Sequence, residues 1–132
     1  LIYGLHHCVN VVSGADGEGE AVLIRAIEPV EGLEEMRRRR GPRISDRDLC
    51  RGPGRLAEAL AIDRDLDACV LGRSSGVWLE PGSRASEIGR TPRIGLGDVG
   101  AWADRPWRFV DATSRHLSGP SRRRGDAATR TG

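Results

Sequence analysis

Two short apolar runs, each broken by one polar residue, constrain this chain more than any other feature: residues 5–13 read LHHCVNVVS, residues 20–28 read EAVLIRAIE, and GADGEG lies between them. Val and Ile favour a pleated backbone, and the Asp-Gly step with its extra glycines supplies a tight reversal, so the pattern predicts a β-hairpin. Pro29 ends the second strand because its nitrogen cannot donate to a ladder. With a period of two, Cys8, Asn10 and Val12 fall on one face of the first strand, and Leu23, Arg25 and Ile27 on one face of the second. Asn10 and Arg25 break the apolar rule at these positions. A guanidinium buried without a partner is costly. Either the two residues line a polar pocket, or Arg25 lies on an edge strand and points to water.

Beyond the hairpin, short elements alternate with breakers. From Glu31 to about Arg40, the Leu33/Met36 spacing and the Glu34–Arg38 and Glu35–Arg39 pairs predict a helix, which Gly41 and Pro42 stop. Ser45 followed by Asp48 resembles a capping pattern for a further helical turn, and GPGRLAEALAI at 52–62 reads as a helix with Pro53 near its start. Residues 72–92, rich in Gly, Ser and Pro, read as a long surface loop with VWLE at 77–80 as a candidate strand. Two more strands are predicted, RIGLG at 93–97 and PWRFVDA at 106–112. The composition from Ser118 onward is that of a disordered tail. The fold class expected is mixed α/β (α+β): a single domain over residues 1–119, with a curved, mainly antiparallel sheet and short helices, incomplete at its N-terminus, followed by a disordered basic tail at 120–132.

With 132 residues, 38% of them apolar, the chain is one domain's worth of material. Its first residue is Leu1 and its only methionine, Met36, lies inside the helix-like segment, so a fragment is expected. No apolar run reaches the roughly 18 residues of a membrane span, and no signal peptide is visible, so a cytoplasmic protein is the default. Cys8, Cys50 and Cys69 are odd in number and lack C-x-x-C spacing, which argues for reduced, structural thiols. His6, His7 and Cys8 do not make a metal site, because neighbouring strand residues point to opposite faces. No metal and no cofactor are implied.

All 21 basic residues are arginine and the formal charge is only +2, but the distribution is uneven. Residues 1–36 hold one Arg against seven acids, residues 37–55 eight against two, and residues 105–132 seven against two. Two basic zones separated by acidic ones suit a protein that meets a polyanion on one face, although solvated surface charge explains them as well. The arginine run 37–40 reads better as a solvated helix face than as a direct contact. Arg51-Gly52-Pro53-Gly54-Arg55, at a helix start, is either a phosphate site or a turn with a cap.

The ordered words YGLHHCVN, EAVLIRAIEPVEGLEEMRRRRG, LCRGPGRLAEALAI, RIGLG and PWRF resemble the alkyladenine (3-methyladenine) DNA glycosylase family, from Leu1 to about Gly119. The resemblance implies a compact fold that binds double-stranded DNA in the minor groove, flips an alkylated or deaminated purine into a pocket and hydrolyses the N-glycosidic bond in base excision repair. It implies a monomer with no metal and no membrane contact. Base flipping suits this task because the reacting carbon cannot be reached inside a stacked helix.

Carried over by position, Tyr3 resembles the intercalating tyrosine, and Leu5 and His6 resemble residues that press into the minor groove. Asn10 matches the pocket asparagine that excludes normal guanine, Arg25 the arginine that helps hold the attacking water, and Arg55, with the backbone of Gly54, a phosphate contact. The general-base glutamate of the family matches no residue here, since it would precede Leu1. Asp111 stands where a main-chain carbonyl is expected to hold the water. The resemblance therefore implies a monofunctional glycosylase whose C-terminal part this is, with little activity alone. The alternative is a non-catalytic DNA-binding remnant of that family.

Overall fold

The computed structural model describes residues 6–97 and 99–119. Its elements are short: β1 (Val9–Val12), β2 (Ala21–Ile24), α1 (Leu33–Arg40), α2 (Asp46–Leu49), α3 (Pro53–Ala59), β3 (Ile88–Thr91) and β4 (Arg108–Asp111). No helix among them is long and apolar enough to cross a membrane. The α+β class stands, with the strands in two separate antiparallel pairs, β1–β2 and β3–β4.

The first hairpin forms where the apolar runs predict it. Val9 pairs Ile24 and Val12 pairs Ala21, and beyond the ladder the Ser13 N–H donates to the Glu20 carbonyl at 3.1 Å. At the reversal the Ala15 N–H donates to the Glu18 carboxylate at 3.1 Å. Asn10 lies opposite Leu23, so the face with Cys8, Asn10 and Val12 is also the face that leads to Arg25, just past the end of β2.

The core is formed where the helices meet. Met36 from α1, Leu49 and Cys50 at the end of α2, and Leu56 and Ala59 from α3 are buried, and Ile24, Ile27, Leu33, Ile44 and Leu60 pack against them. Burial pushes the Cys50 thiol up, partly offset by the positive charge of Arg40, so this cysteine stays a protonated core residue. Glu34 and Glu35 in the first turn of α1 and four arginines in the last complement the helix dipole.

Those arginines also fasten the domain. Arg37 pairs with Glu34 and Asp46, and Arg38 with Glu35. Arg39 donates to the Ala59 carbonyl at 2.8 Å, and Arg40 donates to the Leu49 carbonyl at 3.1 Å and to Glu58 at 2.9 Å. Farther along, Arg47 and Arg51 donate to the carbonyls of Arg115 and Leu117, at 2.9 and 2.7 Å. A planar guanidinium with several donors can close a carbonyl and a carboxylate at once, which these contacts exploit.

Two strand expectations need correction. Residues 93–97 form no strand: Pro92 interrupts the ladder just after Thr91, and Gly95 turns the backbone to φ 77°. The strand that pairs with β4 instead lies at Ile88–Thr91, inside the stretch read as loop. VWLE at 77–80 gives only one isolated bridge, Gly72 to Val77. Ser45 bonds the Asp48 side chain at 2.8 Å and caps no backbone N–H.

A candidate base pocket and DNA-contact site

A cavity of about 820 Å³ is walled by β2 and its continuation to Glu28, by residues 93–96, by β4, and by the segment that ends at Ser118. Arg25 enters from the first wall. Its Nη1 makes one long contact to the Ile94 carbonyl, 3.5 Å, and its buried Nε has no hydrogen-bond partner. An unsatisfied buried donor costs on the order of 1–3 kcal/mol, so Arg25 is kept at a cost to stability.

Arg108 faces it from β4 and is only 6% exposed. Its Nη1 donates to Thr91 Oγ1 at 2.9 Å and its Nη2 to the Ser118 carbonyl at 2.6 Å. Burial first, and then the like charge of Arg25, lowers its affinity for its proton, although a guanidinium remains charged at any physiological pH. His116 is also buried, and neither ring nitrogen has a hydrogen bond; Nε2 lies 3.6 Å from Glu28 Oε1. Asp111 lies in the same wall, but its carboxylate is turned to Thr113, accepting from the backbone N–H at 2.9 Å and the hydroxyl at 2.6 Å. These bonds hold it below the ordinary carboxylate range. The Asp111 carbonyl accepts from the Ser114 N–H at 3.1 Å. Three arginines, Arg25, Arg93 and Arg108, thus line a cavity with two carboxylates, Glu28 and Asp111, and the second of these is already occupied, an environment that favours a negatively polarised guest.

A second, smaller concavity of about 430 Å³ brings together His6, Cys8, Arg40, Gly52, Pro53, Gly54, Arg55 and Glu58. The closest approach is between Gly54 and His6: a Cβ on Gly54 would lie 3.0 Å from both Cβ and Cγ of that histidine. Any larger residue at position 54 would require His6 to give way by a few tenths of an ångström. Arg55 beside it is exposed. Two groups of residues chosen separately in the sequence, His6 and Gly54–Arg55, are therefore neighbours.

The structure thus divides the expected site residues between two places: Arg25 in the large cavity, and His6, Gly54 and Arg55 around the small one. Asn10 is exposed on β1, one strand away from the cavity wall. Tyr3 and Leu5 lie outside the described residues. Arg108 and His116 escaped the sequence reading. Arg108 had the same signal as Arg25, a charge in an apolar strand (WRFV), whereas nothing in SRHLS marks His116 as buried.

The sequence profile of the methylpurine-DNA glycosylase family matches residues 1–115. The chain belongs to that family. Relatives of the chain include the DNA-3-methyladenine glycosylases of Mus musculus, 44% identical over 121 residues, and Homo sapiens, 42% identical over 120. Each alignment covers 83% of the chain, and 36% of the mouse and 40% of the human protein. A Burkholderia lata protein named as a 3-methyladenine DNA glycosylase is 45% identical over 125 residues, which are 92% of this chain and 59% of that protein. The chain thus spans between about a third and three fifths of the length of these relatives.

Proposed function

We propose that this chain is the part of a monofunctional DNA glycosylase that receives an alkylated or deaminated purine flipped from duplex DNA and helps hydrolyse its N-glycosidic bond in base excision repair. The observation that carries this reading is the cavity beside β2: it is roomy enough for a purine, and it keeps Arg25 partly buried with an unpartnered Nε in a chain whose family is established. Proteins retain such destabilising groups at functional sites.

In this reading Arg25 orients the attacking water. A glutamate that no residue of 1–132 matches removes the water's proton as oxygen bonds to C1′, while the bond from C1′ to the purine nitrogen breaks and the base leaves with that electron pair. Arg108 braces the opposite wall and adds positive potential. Tyr3 wedges into the stack, Leu5 and His6 press into the minor groove, and Asn10 screens the entering base. Gly54 and Arg55 hold a phosphate, which the approach of Gly54 to His6 supports, since it sets a backbone N–H and a guanidinium beside a groove-facing residue. Duplex DNA carrying the damaged base is the partner, bound by a monomer.

The test is release of free base from a methylated duplex by the protein that carries this chain. Arg25→Ala should lower single-turnover release on the order of 10²-fold, the usual effect of one positioned donor. Release unchanged by that substitution would remove Arg25 from the mechanism.

A further inference from the structure

Two groups of arginines stand apart among the described residues. Those of α1, with Arg47 and Arg51, are committed to carboxylates and main-chain carbonyls. Arg90, Arg93 and Arg105 make no side-chain hydrogen bond or ion pair among the described residues; each lies on an aromatic ring instead. The Arg105 guanidinium carbon is 4.4 Å from the centre of Trp102 and 5.2 Å from that of Trp107. Arg93 is 5.2 Å from Trp107, and Arg90, opposite Phe109 across the β3–β4 ladder, is 5.0 Å from its ring.

The rings themselves are exposed where they should be covered. Trp102, Trp107 and Phe109 are 52%, 47% and 60% accessible, and the two indoles meet with centres 5.5 Å apart, tilted by 48°. A lone exposed aromatic is ordinary, but three in a row interleaved with three cations that have no hydrogen bond or ion pair among the described residues are not. The row is also continuous with the large cavity, since Arg93, Trp107 and Phe109 line it. Elsewhere the molecule shows what a closed arginine–aromatic pair looks like: Arg73 lies over Trp78, and Glu80 both pairs with that arginine and accepts from the indole N–H at 2.8 Å. Among the described residues no carboxylate is paired in this way with Arg90, Arg93 or Arg105.

We infer that Trp102, Trp107 and Phe109, with Arg90, Arg93 and Arg105, form a docking surface for an unpaired stretch of nucleic acid of two or three nucleotides at the entrance of the pocket. Rings and guanidinium planes stack on base faces without regard to sequence, and guanidinium groups held only by ring contacts are free to meet phosphates. Duplex DNA hides its base faces, so the ligand is a single strand or a locally opened one. An acidic protein segment would answer the charge but would leave the flat rings without a use. The inference rests on the reading that this chain meets DNA, and adds a second contact to it, separate from His6, Gly54 and Arg55.

The experiment uses the full chain with Trp78→Phe, so that Trp102 and Trp107 alone fluoresce. It is titrated with a labelled 12-nucleotide oligothymidylate, reading dye anisotropy for affinity and indole quenching for location. Quenching should saturate together with binding and weaken as salt rises. Trp102→Ala should cost roughly 5- to 150-fold in affinity, the value of one stacked base. Arg105→Ala, an exposed position whose loss leaves the core intact, should weaken the same binding and steepen its loss with salt less than wild type.

Unchanged oligothymidylate affinity in both variants overturns the inference. So does equal quenching by inorganic polyphosphate or polyglutamate, which would reduce the surface to a patch that reads charge alone. Failure here with base release still dependent on Arg25 sinks only this surface. Intact single-strand binding together with base release indifferent to Arg25 sinks only the proposed function.

Discussion

The Arg108 guanidinium donates to the Ser118 carbonyl at 2.6 Å, tying β4 to the last described segment of the chain across the floor of the large cavity. Its other terminal nitrogen holds Thr91 in β3 at 2.9 Å. One side chain thus joins both strands of the second hairpin to the segment that closes the pocket. Arg108→Met keeps the volume and removes both bonds. It should lower unfolding free energy by about 2–4 kcal/mol, since bonds to a charged donor are worth about 1.5–3 kcal/mol each before relaxation. Urea denaturation gives the number, and a loss under about 0.5 kcal/mol would mean the bonds carry no net weight.

Arg25 should behave in the opposite way. Its partly buried Nε lacks a partner, so Arg25→Met is expected to leave stability unchanged or raise it by up to about 2 kcal/mol, even as base release falls. A thermal melt and a single-turnover assay on one preparation check both halves. A destabilised variant would show that the guanidinium is satisfied after all.

Arginines of equal charge on α1 should differ in weight. Arg40, with 12% of its side chain exposed, bonds the Leu49 carbonyl and Glu58, and Arg40→Ala should cost about 2–3 kcal/mol. Arg38, 73% exposed beside Glu35, should cost under about 0.5 kcal/mol when truncated. Equal losses from the two would contradict the division between structural and surface guanidinium groups.

Gly54→Val should disturb the small concavity by contact alone. The added Cβ would sit 3.0 Å from the His6 ring base, so either the hairpin or α3 must shift, at about 1–3 kcal/mol. Affinity for duplex DNA should fall with it, while oligothymidylate binding at the tryptophans should not. Tight duplex binding by a folded variant would separate this contact from DNA.

The bonds from Thr113 make Asp111 a pH-sensitive brace. Its folded pKa is depressed, so its contribution is fully present above the ordinary aspartate value of about 4 and is lost as pH falls through the depressed one. Thr113→Val should therefore destabilise the protein at pH 7 and have progressively less effect below about pH 4. Denaturation midpoints at both pH values test this; a pH-independent difference would point to packing instead.

The hairpin, the three helices and β4 were legible because their signals are local: β-branched runs around Asp-Gly, a charged helix with breakers behind it, a proline at a helix start. β3 was not legible. IGRT has one β-branched residue at each end and a glycine and an arginine between them, and it is a strand because Phe109 and Val110 lie opposite it. RIGLG looks more strand-like in isolation, yet Pro92 and Gly95 prevent pairing. Of the site, Arg25 stood out because a charge in an apolar run needs a reason. The neighbourhood of His6 and Gly54 depends on the path of the chain between them, to which no local pattern points.

Every cation outside the histidines is an arginine, and several of them are built in as two-pronged fasteners: Arg40, Arg51 and Arg108 each hold a carbonyl and a second acceptor together. An ammonium group, a single point at the end of a shorter side chain, lacks the fork that spans both. Genomic drift toward AT-rich codons, which replaces arginine with lysine freely on a surface such as Arg38, should therefore stall at these three positions, leaving arginine codons there as a trace of where the elements are fastened together.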